Sequence, residues 1–211
     1  MRPAPSAKPV KLFLMGATGF VGSEVLSQLI AHPRIGQVTC LTRRALEVSS
    51  PKLVTVQHSD FARYDDSLMA PFADHTGCIW TLGGKASDFP SEADYLRVTH
   101  TFALAFAHAA FAHASGPFGF CYLSGLGADP SQSSRLPWEK LTRYTKGRTE
   151  KDLQVLAHEY LGCTVHVFRP GGILKKGMSP WLYRVFGSLV VGVDQLAHEL
   201  IETAIDPYPD T

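Results

Sequence analysis

The stretch VKLFLMGATGFVGSEVLSQLIA, residues 10–31, decides the predicted fold of this 211-residue chain. Its first six residues are an apolar run, which predicts a short buried strand. Residues 20–31 repeat their apolar positions with the period of a helix. Because a glycine-rich loop joins the two, the stretch is typical of the opening half of a βαβ unit that binds a dinucleotide.

Three glycines lie three residues apart in this loop. Gly16 allows a tight turn after the strand, Gly19 lets backbone amides approach a pyrophosphate, and Gly22 lets the helix pack on the sheet. The free N–H groups at the helix start favour an anion. The alternative interpretation is a glycine-rich turn that packs without a ligand. The predicted cofactor-binding residues here are Gly16, Thr18, Gly19, Phe20, Val21 and Gly22.

The rest of the chain alternates apolar strands with helices. Strands are predicted at 38–42, 53–57, 78–82, 119–124 and 164–168. Helices are predicted at 92–114, 138–160, 180–186 and 194–205, the last capped by Asp194. This alternation favours an α/β fold, a single Rossmann-like doubly wound parallel sheet with helices on both faces. We expect it to span residues 10–211, with a small C-terminal substrate region, after a flexible proline-rich arm at 1–9.

The composition and charge of the chain indicate which classes of binding partner to expect. A net charge of +1 gives no reason to expect nucleic acid, and no apolar run is long enough to span a bilayer. The four cysteines lack zinc-ligand spacing and no histidine pair has H-x-x-x-H spacing, so no metal site is predicted. The predicted location is the cytoplasm, although a basic N-terminus without acidic residues leaves an organelle open.

The residues after the second predicted strand indicate which dinucleotide binds. An NAD site usually has an acidic residue here to hold the ribose hydroxyls. This chain has Arg43 and Arg44, and a guanidinium can hold a 2′-phosphate in a fork. The sequence therefore favours NADP(H), with Arg43 as the first choice and Arg44 as the second. The alternative is a solvated basic loop.

Three further strand ends are expected to reach the cofactor, because ligands of such sheets lie outside the carboxyl ends of the strands. Asp60 and Phe61 are expected beside the adenine. The other two strand ends contribute Leu82, Gly83, Gly84 and Lys85, and then Arg169, Pro170, Gly171 and Gly172.

Six sequence blocks, in this order and spacing, resemble the atypical short-chain dehydrogenases, specifically their Tat-interacting-protein branch. They are GATGFVG (16–22), LTRR (41–44), GGKA (83–86), YLSGLGAD (122–129), KGRTEKDL (146–153) and VFRPG (167–171). The resemblance implies a Rossmann-type sheet with bound NADPH. The wider superfamily implies a serine that polarises a carbonyl, a tyrosine acid or base, and a lysine that binds the nicotinamide ribose.

Ser124 and Lys146 match the serine and the lysine, but Thr142 stands where the tyrosine is expected, four residues before the lysine. The nearest tyrosine is Tyr144, about 200° around a regular helix from that lysine. Three outcomes remain open. Tyr144 enters the site through an irregular helix start, Thr142 orients substrate or water while another group is the acid, or redox activity is weak or absent.

The predicted function is an NADPH-dependent oxidoreductase that reduces a carbonyl or enone of a small apolar substrate. The alternatives are a non-redox enzyme (isomerase, dehydratase or cyclase) and a non-catalytic NADPH-sensing interaction protein. An aromatic cluster at 181–186 is expected to cover the substrate, to join the core or to contact another subunit. The Ala-rich helix at 92–114 is a candidate homodimer contact.

Overall fold

The computed structural model describes residues 8–133, 138–178 and 187–207 of the chain. Six parallel strands form the main sheet, in the order β3-β2-β1-β4-β5-β6. They are β1 (Val10–Met15), β2 (Ile35–Thr42), β3 (Leu53–Gln57), β4 (Gly77–Trp80), β5 (Phe118–Leu123) and β6 (Cys163–Phe168). This strand order reverses between β1 and β4, which is the crevice where doubly wound sheets bind dinucleotides. The predicted fold class is confirmed.

Helices cover both faces of the sheet. They are α1 (Phe20–Ala31), α2 (Asp66–Met69), α3 (Glu92–Leu96), α4 (Phe102–His113), α5 (Lys140–His158) and α6 (Val193–Ile205). Successive residues of a strand point to opposite faces. Leu12 and Leu14 accordingly pack in the core beneath α1 and α6, whereas Phe13 and Met15 pack in the core beneath α4 and α5. Burial on both faces explains why the strands are apolar throughout.

The long helix predicted at 92–114 is interrupted. A π-helical segment, Arg97–Thr101, separates α3 from α4. Such segments are frequent at functional sites, and this one turns Thr99 toward a cavity described below. The predicted N-cap of the last helix is also wrong, because Gly192 is the capping residue and Asp194 lies in the first turn. An aspartate there still suits the positive end of the helix dipole.

Two short strands that the sequence did not predict follow β6. β7 (Gly172–Leu174) pairs in parallel with β8 (Val190–Gly192). The pair brings Gly171 so close to Leu189 that a Cβ on the glycine would lie 2.1 Å from the Leu189 carbonyl oxygen. The helix predicted at 180–186, with its aromatic cluster, and most of the arm at 1–9 lie outside the described residues. Among the described helices, none is long and apolar enough to cross a membrane.

Candidate dinucleotide and substrate site

Two cavities lie side by side along the carboxyl edge of the sheet. The first, about 730 Å³, is bordered by the segments that follow β1 and β2 and by one side of α1, from Ser23 to Ile30. The second, about 790 Å³, is bordered by the ends of β4 and β5, by α5 and by the segment after β6. Leu82 lines both. The two cavities therefore adjoin at the switch point of the sheet.

Two glycines of the loop, Gly16 and Gly22, leave no room for a side chain. Gly16 has a φ of +90°, and a Cβ there would lie 2.7 Å from Thr81 Oγ1. A Cβ on Gly22 would lie 2.0 Å from the Gly16 carbonyl oxygen. Gly19 caps α1 without a side-chain hydrogen bond, so the N–H groups of the first turn are open to an anion. This backbone geometry is compatible with a pyrophosphate, and the cofactor-binding role of the loop stays a prediction.

Arg43 and Arg44 are exposed and line the first cavity. Within the part of the chain that the structure describes, neither guanidinium pairs with a carboxylate. Thr42 Oγ1 donates to the Arg44 carbonyl at 2.6 Å, which holds the turn. One carboxylate residue, Glu47, is among the described residues that line this cavity. The cavity rim therefore carries two cations and one acid.

The two residues predicted to lie beside the adenine have different positions. Phe61 is buried and lines the first cavity. Asp60 does not line it, and its carboxylate instead accepts a hydrogen bond from the Ala62 N–H at 3.2 Å. Asp60 therefore shapes the loop that carries the phenyl ring.

Ser124 and Lys146 meet in the second cavity. Lys146 Nζ donates to the Ser124 carbonyl oxygen at 2.8 Å. Ser124 is buried, and its Oγ has no hydrogen-bond partner among the described residues. A buried hydroxyl without a partner is costly, which suits a group that a ligand completes.

Burial lowers the pKa of Lys146 to about 8, against the nearby carboxylates of Glu150 and Asp88, which raise it. The ammonium is therefore poised to lose its charge a little above neutral pH. Because it lines the cavity beside Ser124, this charge can act on a ligand held there.

Thr142 also lines the second cavity, but protein groups engage its hydroxyl. Thr142 Oγ1 donates to Glu139 Oε2 at 2.7 Å and accepts from the Ala86 N–H at 2.9 Å. The Tyr95 hydroxyl donates to the Thr142 carbonyl at 3.4 Å. The threonine thus joins α5 to Ala86 and Tyr95, which lie 56 and 47 residues earlier in the chain.

Tyr144 is half-buried and is not among the residues that line the cavity. α5 is helical from Lys140 onward, so the helix is regular where it carries this ring. Lys140 Nζ lies 5.3 Å from the ring centroid. The geometry separates Tyr144 from Lys146 and Ser124, as expected for two positions about 200° apart on a helix.

The two remaining predicted loops are only partly in the cavity. Gly83, Gly84 and Lys85 line it, and so do Pro170, Gly171 and Gly172. Arg169 does not, because its guanidinium forms a bidentate pair with the buried Glu150, with an Nε–Oε1 distance of 3.1 Å. This ion pair anchors the segment after β6 to α5.

Several polar residues of the second cavity were not predicted from the sequence. They are Asp88, Thr99, Tyr122, Glu139 and Arg143. Tyr122 lies within the YLSGLGAD block. It precedes Ser124 by two residues, and this spacing places two side chains on the same face of a strand, so it could have been predicted. Thr99 depends on the π-helical segment, and Glu139 has a left-handed backbone with φ of +48°, neither of which leaves a sequence signal. No group of three metal-ligating residues occurs among the described residues.

Known proteins with similar sequences point to one family. Residues 12–174 match the model of the NAD dependent epimerase/dehydratase family. The chain is 31% identical to Protein HTATIP2 of Rattus norvegicus over 188 residues, which cover 84% of this chain and 71% of that protein. It is 27% identical over 164 residues to Protein FMP52, mitochondrial, of Candida albicans, which covers 77% of this chain and 66% of that protein.

A solved structure of glucuronic acid dehydrogenase from Chromohalobacter salexigens superposes with a TM-score of 0.69. The match has 19% sequence identity and covers 95% of this chain and 73% of that one. At this identity the likeness concerns the fold. The chain spans about two thirds of the length of the fungal relatives, 66% and 64% in the Candida albicans and Aspergillus terreus proteins.

Proposed function

Because the chain belongs to the NAD dependent epimerase/dehydratase family, we propose that it binds NADPH and reduces a carbonyl or enone of a small apolar substrate. The proposal rests chiefly on Ser124 and Lys146, which line the cavity beside the glycine loop. The unpartnered Ser124 hydroxyl carries the most weight, because it can donate to a substrate carbonyl oxygen and so gain a missing hydrogen bond.

The described residues offer three parts of NADPH a partner of suitable chemistry. The backbone of residues 16–22 would hold the pyrophosphate, and Arg43 with Arg44 would hold the 2′-phosphate. Lys146 would bind at the nicotinamide ribose. When bound, NADPH supplies a hydride.

The substrate end of the second cavity is mainly apolar. Leu126, Trp138, Ile173 and Leu189 line it. These side chains favour a small apolar molecule, while the Ser124 hydroxyl orients its oxygen. The Lys146 ammonium lies close enough to Ser124 to stabilise negative charge that develops on that oxygen.

One observation favours a second candidate, an enzyme without net redox chemistry. Thr142 stands where the family resemblance implies a tyrosine, and its hydroxyl proton is directed at Glu139. The Glu139 carboxyl group lines the same cavity and is a candidate general base for an isomerase, dehydratase or cyclase.

One experiment separates these functions. The protein is mixed with NADPH and a panel of small aliphatic aldehydes, ketones and enones, and both the nicotinamide absorbance and the organic products are followed. We expect NADPH oxidation that matches product formation and is lost in Ser124→Ala. Tyr144→Phe is the control, because its ring lies outside the cavity, and should retain the rate within about twofold.

The other outcomes are equally specific. Conversion without a change in nicotinamide absorbance supports the non-redox enzyme. Tight NADPH binding without turnover of any compound, together with capture of a protein partner that depends on NADPH, supports a sensing role. The homodimer and the cytoplasmic location stay predictions, and the mitochondrial names of the fungal relatives make cell fractionation the test of location.

A further inference from the structure

The Thr142 hydroxyl connects α5 to the loop that follows β4. It accepts the Ala86 N–H at 2.9 Å and gives its single proton to Glu139 Oε2 at 2.7 Å. Both contacts have good hydrogen-bond lengths. Thr142 therefore offers no proton to a substrate while these contacts are made.

The loop that Thr142 holds, residues 83–88, lines the second cavity over much of its length. It begins with two glycines, and Gly83 has a φ of +139°. Its internal hydrogen bonds do not reach another element. They run from the Lys85 N–H to Asp88 Oδ2 at 2.7 Å and from the Asp88 N–H to the Lys85 carbonyl at 3.0 Å. Among the described residues, Ala86 to Thr142 is the one hydrogen bond that ties this loop to α5.

Thr142 itself is held in place by Glu139 and Tyr95. Glu139 has a φ of +48°, a strained conformation for a residue with a side chain, and from there its carboxylate accepts the Thr142 proton. Tyr95, which is fully buried, donates to the Thr142 carbonyl. A cavity-lining threonine is thus fixed from two directions before any ligand binds.

We propose that Thr142 is a positioning residue that attaches the loop at residues 83–88 to α5 and so keeps that loop in place for the cofactor. The inference rests on the proposed binding of NADPH. It replaces the proton-transfer role that the family resemblance implies for this position. The proton that a reduction needs would then come from the Lys146 ammonium, which lines the same cavity and can be reprotonated by solvent.

The test compares Thr142→Val, which keeps the shape and removes the hydroxyl, with Thr142→Ser, which keeps the hydroxyl. The exchange rate of the Ala86 amide is measured by NMR in the free protein, and NADPH affinity by titration. We expect Thr142→Val to accelerate the exchange by about tenfold and to weaken NADPH binding by about tenfold, because the loss of one hydrogen bond changes an equilibrium constant by about that factor. Thr142→Ser should restore both.

Two further variants complete the design. Thr145→Val is the matched control, because Thr145 is buried on the same helix and does not line the cavity. It should change neither measurement. Glu139→Ala removes the acceptor of the Thr142 proton and leaves the threonine in place. It should raise the Ala86 exchange rate by about twofold to threefold. This variant therefore still tests the proposal if Thr142→Val does not fold.

The proposal is overturned if the Ala86 amide exchanges equally fast in wild type and Thr142→Val. It is also overturned if exchange accelerates while NADPH affinity stays the same. A wild-type protein that does not bind NADPH overturns the proposed function instead, and the exchange rate in the free protein still decides whether Thr142 holds the loop.

Discussion

The two adjoining cavities are built by different means. Most of the first is lined by one continuous part of the chain, from the end of β1 through α1 to the loop after β2, and a Cβ on Gly16 would lie 2.8 Å from the Leu82 backbone nitrogen. The second is assembled from segments spread between residues 19 and 189, and its polar character comes from side chains. Gly16, Thr18 and the two arginines of the predicted dinucleotide site line the first cavity, whereas Gly19, Phe20 and Val21 line the second, which departs from the family pattern at Thr142.

This difference indicates which part of the site can accept new residues as related sequences diverge. A Cβ at Gly22 would lie only 2.0 Å from a carbonyl oxygen, so the glycine loop has no room for another residue there and is constrained by sterics alone. A side chain such as Thr142 can acquire new hydrogen-bond partners while the helix that carries it stays unchanged. The cofactor end is thus expected to tolerate substitution less than the substrate end.

The largest effect is expected for Gly22→Ala. Because the new methyl group would overlap the Gly16 carbonyl, α1 must shift away from the loop. We expect NADPH affinity to fall by about a hundredfold and the free energy of unfolding to fall by about 1–3 kcal/mol. Isothermal titration and urea unfolding measure the two quantities. Gly116→Ala is the control, since a Cβ there meets nothing within 4 Å, and equal losses in both variants would contradict the steric argument.

A smaller effect is expected when Arg43 and Arg44 are replaced together by alanine. Loss of two charged partners of the 2′-phosphate should lower NADPH affinity by about tenfold and leave NADH affinity unchanged. Glu47→Ala, on the rim of the same cavity, should not weaken NADPH binding. If NADPH and NADH raise the melting temperature of the wild type equally, these arginines do not select the cofactor.

The smallest effect concerns pH and the second cavity. The pKa of Lys146 is lowered to about 8, so its ammonium is charged below that pH and neutral above it. NADPH affinity should therefore fall by about fivefold between roughly pH 7 and 9.5, because an anionic ligand loses a nearby cation. Lys146→Met should bind weakly with little dependence on pH over this range. Lys140→Met, an exposed position on the same helix, should keep the wild-type profile.

Local patterns predicted most of the elements. β1 and β3 have the predicted bounds, and the other sheet strands differ by a few residues at their ends. The π-helical segment and the β7–β8 pair were not predictable in this way. The first is a change of hydrogen bonding within one long helix. The second depends on how two three-residue segments pair across the chain between them.

The sequence by itself determined the order of strands and helices and the position of the glycine loop, because periodicity and steric limits act over about twenty residues. Only the tertiary structure decided the partners of the polar side chains. Arg169 pairs with Glu150 rather than lining the cavity, and Thr142 meets Ala86 from 56 residues away. Such partners are chosen by how α5 packs against the strand ends, and no local pattern carries that information.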